Sequence, residues 1–512
     1  MNKQTRLYVA CIIALVAMAF GFVVRGFVLT DWGVQFDLSE TQKGSIQGAG
    51  LFPQALSIIF FSLIIDKVGY GRIMAVAWLL HVLSAIITIT ANSYAALYWG
   101  TFIFALACGA VESAVNPITA TLYSRSKTHH LNLLHSGWPG GMMLGGVLAL
   151  SMGGADWRWK IGLFLIPTTV YGLMMLGQKF PVQERVAAGI SYTDMLKEFG
   201  WAGCYIVFVF VAYAIDEICR VLGFRFLPEQ HSILAALLYA LIPSALFAFK
   251  IRSFGRPMFV FLLFTMILLA TTELGTDSWI SDLMTPVLKS TGPNAGKWVL
   301  VYTSAIMFVL RFFAGPIAHR LSPLGLLATG AAIACIGLNW LSAAGAAAGM
   351  VFLAATCYGI GKPFFWPTTL AVVSEQFPKG GALTLNAIAG VGMISAGVLG
   401  IPFLGALQDH SLDHRLEKQS PAIHAQVAGP QQSKYGMSYS PLDKSLIAKL
   451  PASERTVVEE TRALNNQAVL ARVAILPGIM FLCYVTLIVY FKFKGGYRQV
   501  ELFSPNAPPD VT

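Results

Sequence analysis

The stretch SLIIDKVGYGR, residues 62–72, places one acid, two cations and two glycines between two long apolar runs. The runs near 45-65 and 73-93 each have the roughly 20 apolar residues that a helix needs to cross a bilayer. Lysine and arginine on short loops are retained on the cytoplasmic side of a membrane, which places Lys67 and Arg72 there. The stretch therefore predicts a tight cytoplasmic turn between two membrane helices.

The composition extends this prediction to the whole chain. Of the 512 residues, 56% are hydrophobic and only 12% are charged, and the mean hydropathy is +0.66. A soluble protein of this size cannot hide so much apolar surface. The net charge of +10 reflects loop cations, so the expected partner is the lipid bilayer and not nucleic acid.

Apolar runs predict an all-α polytopic protein with about fourteen transmembrane helices. The first run has no small-residue cleavage site and is interpreted as a helix, not as a removable signal peptide. The predicted spans lie near 8-30, 45-65, 73-93, 97-123, 131-152, 160-177, 199-215, 231-250, 257-283, 297-314, 324-346, 349-374, 384-406 and 471-492.

The spans divide into two bundles of six helices with two extra helices inserted between them. Loop cations alternate to one side, which puts both termini in the cytoplasm of a bacterial-type inner membrane. The polar segment 407-470 is either a cap on the outer mouth or a flexible excursion, and its composition favours the flexible alternative. The predicted units are 1-190 (first bundle), 191-256 (inserted helices), 257-406 (helices seven to eleven of the twelve-helix frame), 407-470 (outer loop), 471-495 (last helix) and 496-512 (tail).

An internal repeat relates the two bundles. Aligning CGAVESAVNPITAT, residues 108–121, with YGIGKPFFWPTTLA, residues 358–371, superimposes Pro117 on Pro367 and Glu112 on Lys362. Parallel repeats related by an axis along the membrane normal are typical of transporters that rock around a site at the midplane.

These features resemble the major facilitator superfamily. DKVGYGR, residues 66–72, is similar to its signature between the second and third helices. The motifs VESAVNP (111–117), HLNLLHSGWPGG (130–141), FFWPTTLAVV (364–373) and GALQD (405–409) are similar to the fucose and glucose/galactose proton-symporter branch. The resemblance implies a major facilitator fold and transport by alternating access.

The resemblance also implies roles for individual residues. Glu112 matches a glutamate of substrate binding and proton coupling, and Asn132 matches an asparagine that begins the fifth helix. His135 and Trp138 occupy the next polar positions of that helix. Where the branch has a carboxylate in its first helix, this sequence has Gly26, and the preceding residue is Arg25. A conformational latch is implied for Asp66, Gly69 and Arg72, and its counterpart in the second half for Arg311 and Arg320.

Ionisable groups at mid-membrane depth cost about 2.5–3.5 kcal/mol on insertion scales and are usually paired or face a watery cavity. The first, fourth, seventh and tenth helices of a facilitator surround its cavity. One hypothesis is that the charges on these helices line one central site; the other is a structural ion pair of Glu112 with Lys362 or with Arg25. Glu273, which has no cation in its own helix, is the alternative proton carrier. The charges are Arg25, Glu112, Glu273, Asp277 and Lys362.

Uncharged polar and aromatic residues complete the candidate site. Asn116 lies one turn from Glu112 on the same helix face and either contacts solute or satisfies the helix at Pro117. The rings of Trp138 and Trp366 suit stacking on a pyranose. His135 is a core histidine, a solute ligand or a titrating switch.

The chain shows no enzyme motif, and its seven cysteines have no metal or disulfide spacing. We therefore expect no metal and no cofactor, with a proton or sodium gradient as the energy source if transport is coupled. The expected partner is a small neutral polyhydroxylated solute, with a monomer implied by the resemblance. An oligopeptide or nucleoside carrier and a solute sensor that does not transport remain alternatives.

Overall fold

The computed structural model describes residues 2–38, 40–228, 231–292 and 294–502, which are almost entirely helical. The first half makes six crossings, of which the second joins α2 to α3, the fifth joins α6 to α7 and the sixth joins α8 to α9. Its helices are α1 (Lys3–Gln35), α2 (Glu40–Ala49), α3 (Phe52–Val68), α4 (Tyr70–Ile89), α5 (Tyr94–Leu122), α6 (Lys127–His135), α7 (Gly137–Ser151), α8 (Trp157–Gly162), α9 (Leu165–Met175) and the short α10 (Glu184–Ala187).

Two inserted helices, α11 (Tyr192–Val221) and α12 (Ser232–Ile251), pack against each other. The backbone of α11 breaks at Gly200, whose φ is +68°, where it meets Gly255 with φ +94°. A Cβ atom on Gly200 would collide with the backbone of Gly255, so this crossing of the chain requires glycine. Helix α11 packs against both α3 of the first half and α19 (Gly381–Ser395) of the second half. The inserted pair therefore covers one seam between the halves.

The second half repeats the six crossings with more interruptions. A π-helical turn, Thr271–Gly275, joins the two helices of its first crossing, and a second, Ala396–Gly400, lies in its fifth. The remaining helices are α13 (Pro257–Ala270), α14 (Thr276–Val287), α15 (Ala295–Arg311), α16 (Ala314–Ser342), α17 (Ala348–Gly361), α18 (Phe365–Gln376), α20 (Ile401–Gln419), α21 (Pro421–Val427), α22 (Lys444–Lys449), α23 (Ala452–Val473) and α24 (Ile475–Phe493), with a 3-10 turn at Pro378–Gly380.

The eighth crossing of the twelve-helix frame extends further than its apolar run suggests. It includes α15 and the first turns of α16, and the chain reverses only at Ser322, where φ is +62°. Arg311 consequently lies in the middle of a crossing and is 1% exposed. The latch role implied for Arg311 requires a position at a cytoplasmic helix end. This prediction is wrong because the crossing continues past Arg311 as far as Ser322.

Eleven helical stretches of the described residues are long and apolar enough to span a membrane. The predicted spans near 131-152 and 160-177 form interrupted helices, α6 with α7 and α8 with α9, and the span near 297-314 forms the 17-residue α15. The all-α polytopic prediction is confirmed.

Both ends of the described chain lie at one face of the bundle. Near the first residues, the Tyr8 hydroxyl donates to the carbonyl of His130, and near the last residues, the Gln499 amide donates to the carbonyl of Ser124. Ser124 and His130 are close together in the chain, around the turn between α5 and α6. We call this face the terminal face.

The 407–470 segment is folded. The outer part of α20, helices α21 to α23 and a small hairpin, β1 (Gln432–Lys434) with β2 (Met437–Tyr439), form a cap. The cap rests on the second half, where α23 packs against α14 and α16. The favoured expectation of a flexible excursion is wrong because the segment buries an apolar core of its own, formed by Leu416, Val427, Ile447, Leu450 and Val458.

Candidate functional site

A small cavity lies between the two halves, near the middle of the helical bundle. The halves meet along α3 with α19 and along α7 with α15, and the cavity opens between these two contacts. Six residues singled out from the sequence line it: Glu112, His135, Trp138, Glu273, Arg311 and Trp366.

Glu112 forms the wall of the first half. It is 4% exposed, and its Oε2 accepts a hydrogen bond of 3.0 Å from Nε2 of Gln54 on α3. Among the described residues, no cation lies within ion-pair distance of Glu112. The sequence interpretation missed Gln54, although an amide in the apolar stretch FPQALSIIFF was a signal for it.

Glu273 and Arg311 form the opposite wall. Arg311 Nη2 lies 3.3 Å from Glu273 Oε1, and both side chains are buried. Glu273 is the central residue of the π-helical turn. In the same turn, the Thr272 carbonyl accepts a hydrogen bond of 3.0 Å from the Tyr358 hydroxyl. The two walls therefore differ in charge: one carboxylate is neutralised by a guanidinium and the other is not.

His135, which lines the cavity, and the amides of Asn116 and Asn132 lie towards the terminal face. Nε2 of His135 lies 2.9 Å from Oδ1 of Asn116, so these two atoms pair within the first half. Asn132 donates to the Thr128 carbonyl at 2.8 Å and to Oγ1 of Thr368, in the second half, at 3.1 Å. Asn116 and Asn132 thus support the site without lining the cavity.

Asp277 and Lys362 pair with each other and do not line the cavity. Both are buried within the second half, and the Lys362 ammonium also lies 5.0 Å from the centre of the Tyr358 ring. The alternative hypothesis of an ion pair between Glu112 and Lys362 is wrong because Asp277, in the same half as Lys362, already satisfies this lysine.

Arg25 occupies a separate site inside the first half. Its Nη2 donates to Oγ of Ser84 at 2.9 Å, and its guanidinium lies 3.9 Å from the centre of the Phe104 ring. The other form of the alternative hypothesis, an ion pair between Arg25 and Glu112, is therefore also wrong. Because Arg25, Asp277 and Lys362 lie elsewhere, the hypothesis that all five charges line one central site is also wrong.

The latch residues are arranged differently from the expectation. Asp66 pairs with Arg185, and both side chains are buried at the terminal face. Gly69 supplies a positive φ of +88° that turns the chain between α3 and α4. Arg72 is exposed, with a hydrogen bond of 3.4 Å to the Val68 carbonyl. In the second half, Arg311 lines the cavity and Arg320 is exposed at the helix end.

These features define a membrane transporter: two bundles of six helices meet around a buried polar cavity. The sequence profile of the Major Facilitator Superfamily matches residues 9–283, more than half of the chain. The protein therefore belongs to the Major Facilitator Superfamily, as the sequence motifs predicted.

Solved structures share the fold at low sequence identity. The human organic anion transporter MFSD10 (TETRAN) is 13% identical, with 94% of this chain and 100% of that chain covered and a TM-score of 0.59. The nucleoside transporter NupG is 11% identical, with 95% and 100% covered and a TM-score of 0.53. The fucose:proton symporter FucP of E. coli is 15% identical, with 91% and 98% covered and a TM-score of 0.51 in its outward conformation. No curated protein sequence matches the chain.

Proposed function

We propose that this protein is a secondary transporter that carries a small neutral polyhydroxylated solute, a monosaccharide by class, through the membrane by alternating access. The observation that carries the proposal is the lining of the cavity, where the rings of Trp138 and Trp366 accompany the carboxylates of Glu112 and Glu273. Carboxylates accept hydrogen bonds from sugar hydroxyls, and indole rings pack against the C–H faces of a pyranose.

The charges of the cavity favour a neutral solute. Glu273 and Arg311 cancel each other's charge at the second wall of the cavity. A strongly charged solute would leave an uncompensated charge in a poorly hydrated site, which is costly. A solute with many hydroxyl groups satisfies both walls without adding charge.

Glu112 is the proposed carrier of the coupling proton. An ionised carboxylate without a neighbouring cation is unfavourable in the middle of a membrane. Glu273 is stabilised by its ion pair with Arg311, whereas Glu112 can remove its charge by binding a proton. This assignment keeps the coupling role that the family resemblance implies for Glu112 and sets aside Glu273, the alternative proton carrier. A sodium ion bound by the same carboxylate is the competing possibility that an ion-substitution assay separates.

The remaining features of the proposal follow from the sequence. Cations on the loops of the terminal face favour a cytoplasmic location for both termini, in a bacterial-type inner membrane. The transporter acts as a monomer, uses no cofactor and has the solute and the bilayer as its partners.

A nucleoside is the second candidate, because two indole rings in one cavity also suit stacking on a base. An oligopeptide is the third candidate solute, and a sensor that binds its solute without transporting it is a function of a different class. Thermal shift of the purified protein against monosaccharides, nucleosides and dipeptides discriminates among the solutes. Uptake of the stabilising solute into proteoliposomes then separates a carrier from a sensor.

The decisive comparison uses Glu112→Gln and a control. Glu459→Gln removes a carboxylate from the cap, where Glu459 pairs with Lys289 at an exposed site. A monosaccharide that stabilises the wild type and Glu459→Gln, but not Glu112→Gln, supports the proposal. Stabilisation by nucleosides or dipeptides alone contradicts the monosaccharide assignment.

A further inference from the structure

Arg311 joins both halves of the protein beside the cavity. Besides its ion pair with Glu273, its Nε donates to the carbonyl of Pro363 at 2.7 Å, and its Nη1 donates to the carbonyl of His135. Glu273 and Pro363 belong to the second half, whereas His135 belongs to the first. One buried guanidinium therefore connects helices from both moving bodies.

Both carbonyls lie where a helix is interrupted: His135 ends α6, and Pro363 lies in the break between α17 and α18. In an α-helix, each carbonyl accepts from the N–H group four residues later. The residue four positions after His135 is Pro139, and the residue four positions after Pro363 is Pro367. Proline has no backbone N–H, so neither carbonyl has its helical donor. Arg311 supplies the missing donor in both cases.

A third carbonyl follows the same rule at another contact between the halves. Pro117 removes the helical donor for the carbonyl of Ser113. Nδ2 of Asn386, on α19 of the second half, donates to this carbonyl at 2.8 Å. Two side chains of the second half thus hold the first half by carbonyls that prolines leave free.

We propose that Arg311 is a positioning residue of the transport cycle, which holds the two halves together at the level of the cavity through the carbonyl that Pro139 frees. Opening towards the terminal face separates α6 from α15 and α18, so it breaks the bond from Arg311 to His135. The strength of this bond sets how often the terminal face opens.

The proposal is tested by restoring a helical donor without touching Arg311. Pro139→Ala supplies an N–H group that competes for the His135 carbonyl, and Arg311→Lys keeps the charge beside Glu273 but loses the planar fork of donors. Pro243→Ala is the matched control, because Pro243 lies inside α12, which belongs to the inserted pair.

The reporter is Leu385→Cys, introduced into each variant. Leu385 is 2% exposed and lines a second cavity between the halves near the terminal face, beside Lys127 and Ser374. Residues 380–415 contain no native cysteine, so mass spectrometry of this region measures alkylation by N-ethylmaleimide without interference. The assay needs no solute, and its result is independent of whether the solute is a monosaccharide.

We expect Pro139→Ala and Arg311→Lys to raise the alkylation rate at least threefold well below the melting temperature, with no change for Pro243→Ala. An unchanged rate in Pro139→Ala, with or without a lower melting temperature, overturns the proposal. If Arg311→Lys fails to fold, Pro139→Ala still decides the matter.

The end of the described chain provides a second, independent link between the halves. The Tyr497 hydroxyl donates to Oε2 of Glu375 at 2.7 Å, and the Val500 N–H donates to the Glu375 carbonyl at 2.9 Å. Nε2 of Gln499 donates to the carbonyl of Ser124, in the first half, at 2.8 Å. The other carboxylate oxygen of Glu375 accepts from Thr128, also in the first half, at 2.7 Å.

We infer that residues 497–500 act as a strap that keeps the terminal face closed. The strap spans from the end of α18 to the loop between α5 and α6, and these two ends must separate when this face opens. The strap is held by a few hydrogen bonds and by packing of the Tyr497 ring against Phe491, and its residues are half-buried or exposed. It is therefore a restraint that can be released without unfolding a helix.

The double variant Tyr497→Phe with Gln499→Ala removes two of the links. Arg498→Ala is the control, because this exposed side chain lies between them and only its backbone carbonyl accepts a bond, from Gln376. With the Leu385→Cys reporter, we expect faster alkylation in the double variant, by at least twofold, and the wild-type rate in the control. Equal rates in all three proteins overturn the strap.

Discussion

Lys362, in the break between α17 and α18, donates to Asp277 on α14, so that two charged groups of the second half satisfy each other away from the solute cavity. Lys362 is fully buried and Asp277 is 7% exposed. Removing one member of such a pair typically costs about 3–5 kcal/mol, because the other charge is left buried alone, whereas replacing both is often tolerated. The pair therefore stabilises the packing of α14 against the interrupted tenth crossing.

Single neutralisation of this pair is expected to destabilise the protein. Asp277→Asn and Lys362→Met should each lower the melting temperature of the detergent-purified protein, and the double variant should recover most of the loss. Recovery of the melting temperature in the double variant distinguishes an ion pair from two separate solute contacts. Melting temperatures that fall additively in the double variant would contradict the pairing.

Glu112→Gln is expected to reduce gradient-driven uptake at least tenfold while the protein remains inserted and folded. The amide keeps the size of the side chain and can still bond to Gln54, but it cannot take up or release a proton. The comparison is Glu273→Gln, which should also lower the melting temperature because Arg311 loses its carboxylate. Near-normal accumulation by Glu112→Gln in proteoliposomes would exclude it as the coupling residue.

Asp66 and Arg185 are expected to control the rate of cycling more than the affinity for solute. Their ion pair lies at the terminal face, far from the cavity, and fixes the turn after α3 to the segment before α11. Asp66→Asn and Arg185→Gln should each slow exchange of solute severalfold with little change in binding measured by thermal shift. Arg72→Gln is the control, since this exposed residue makes only a long hydrogen bond to Val68. A similar slowing in Arg72→Gln would restore the latch expected from the motif.

The fold could be predicted because its determinants are local and periodic. Apolar runs of membrane length, loop cations and the DKVGYGR turn each depend on a few neighbouring residues. The motifs around Glu112 and Trp366 likewise identified two walls of the cavity. The cap was less predictable, because its core joins Leu416 to Val458 across a polar segment in which no single helix is strongly apolar.

The partners of the buried charges could not be predicted in the same way. Counting residues along a crossing gives depth, but not which side chains reach each other around the bundle. Arg311 illustrates the problem: its depth depends on the chain reversing at Ser322 and not near Arg311 itself. Lys362 is aligned with Glu112 in the internal repeat. The repeat shows that the two positions are equivalent in the two halves, but it does not show that they are in contact.

The folded cap leads to a final prediction about proteolysis. Val458 is fully buried in the small core formed with Leu416 and Ile447, so Val458→Asp places an unpaired carboxylate among apolar side chains. We expect this variant to be cleaved within 420–460 by trypsin at least tenfold faster than the wild type, while the membrane helices stay protected. Ser453→Asp, at an exposed position on the same helix, should leave the rate unchanged. Equally fast cleavage of the wild type would mean that the apolar core does not hold the segment together, and the flexible excursion expected from composition would be correct after all.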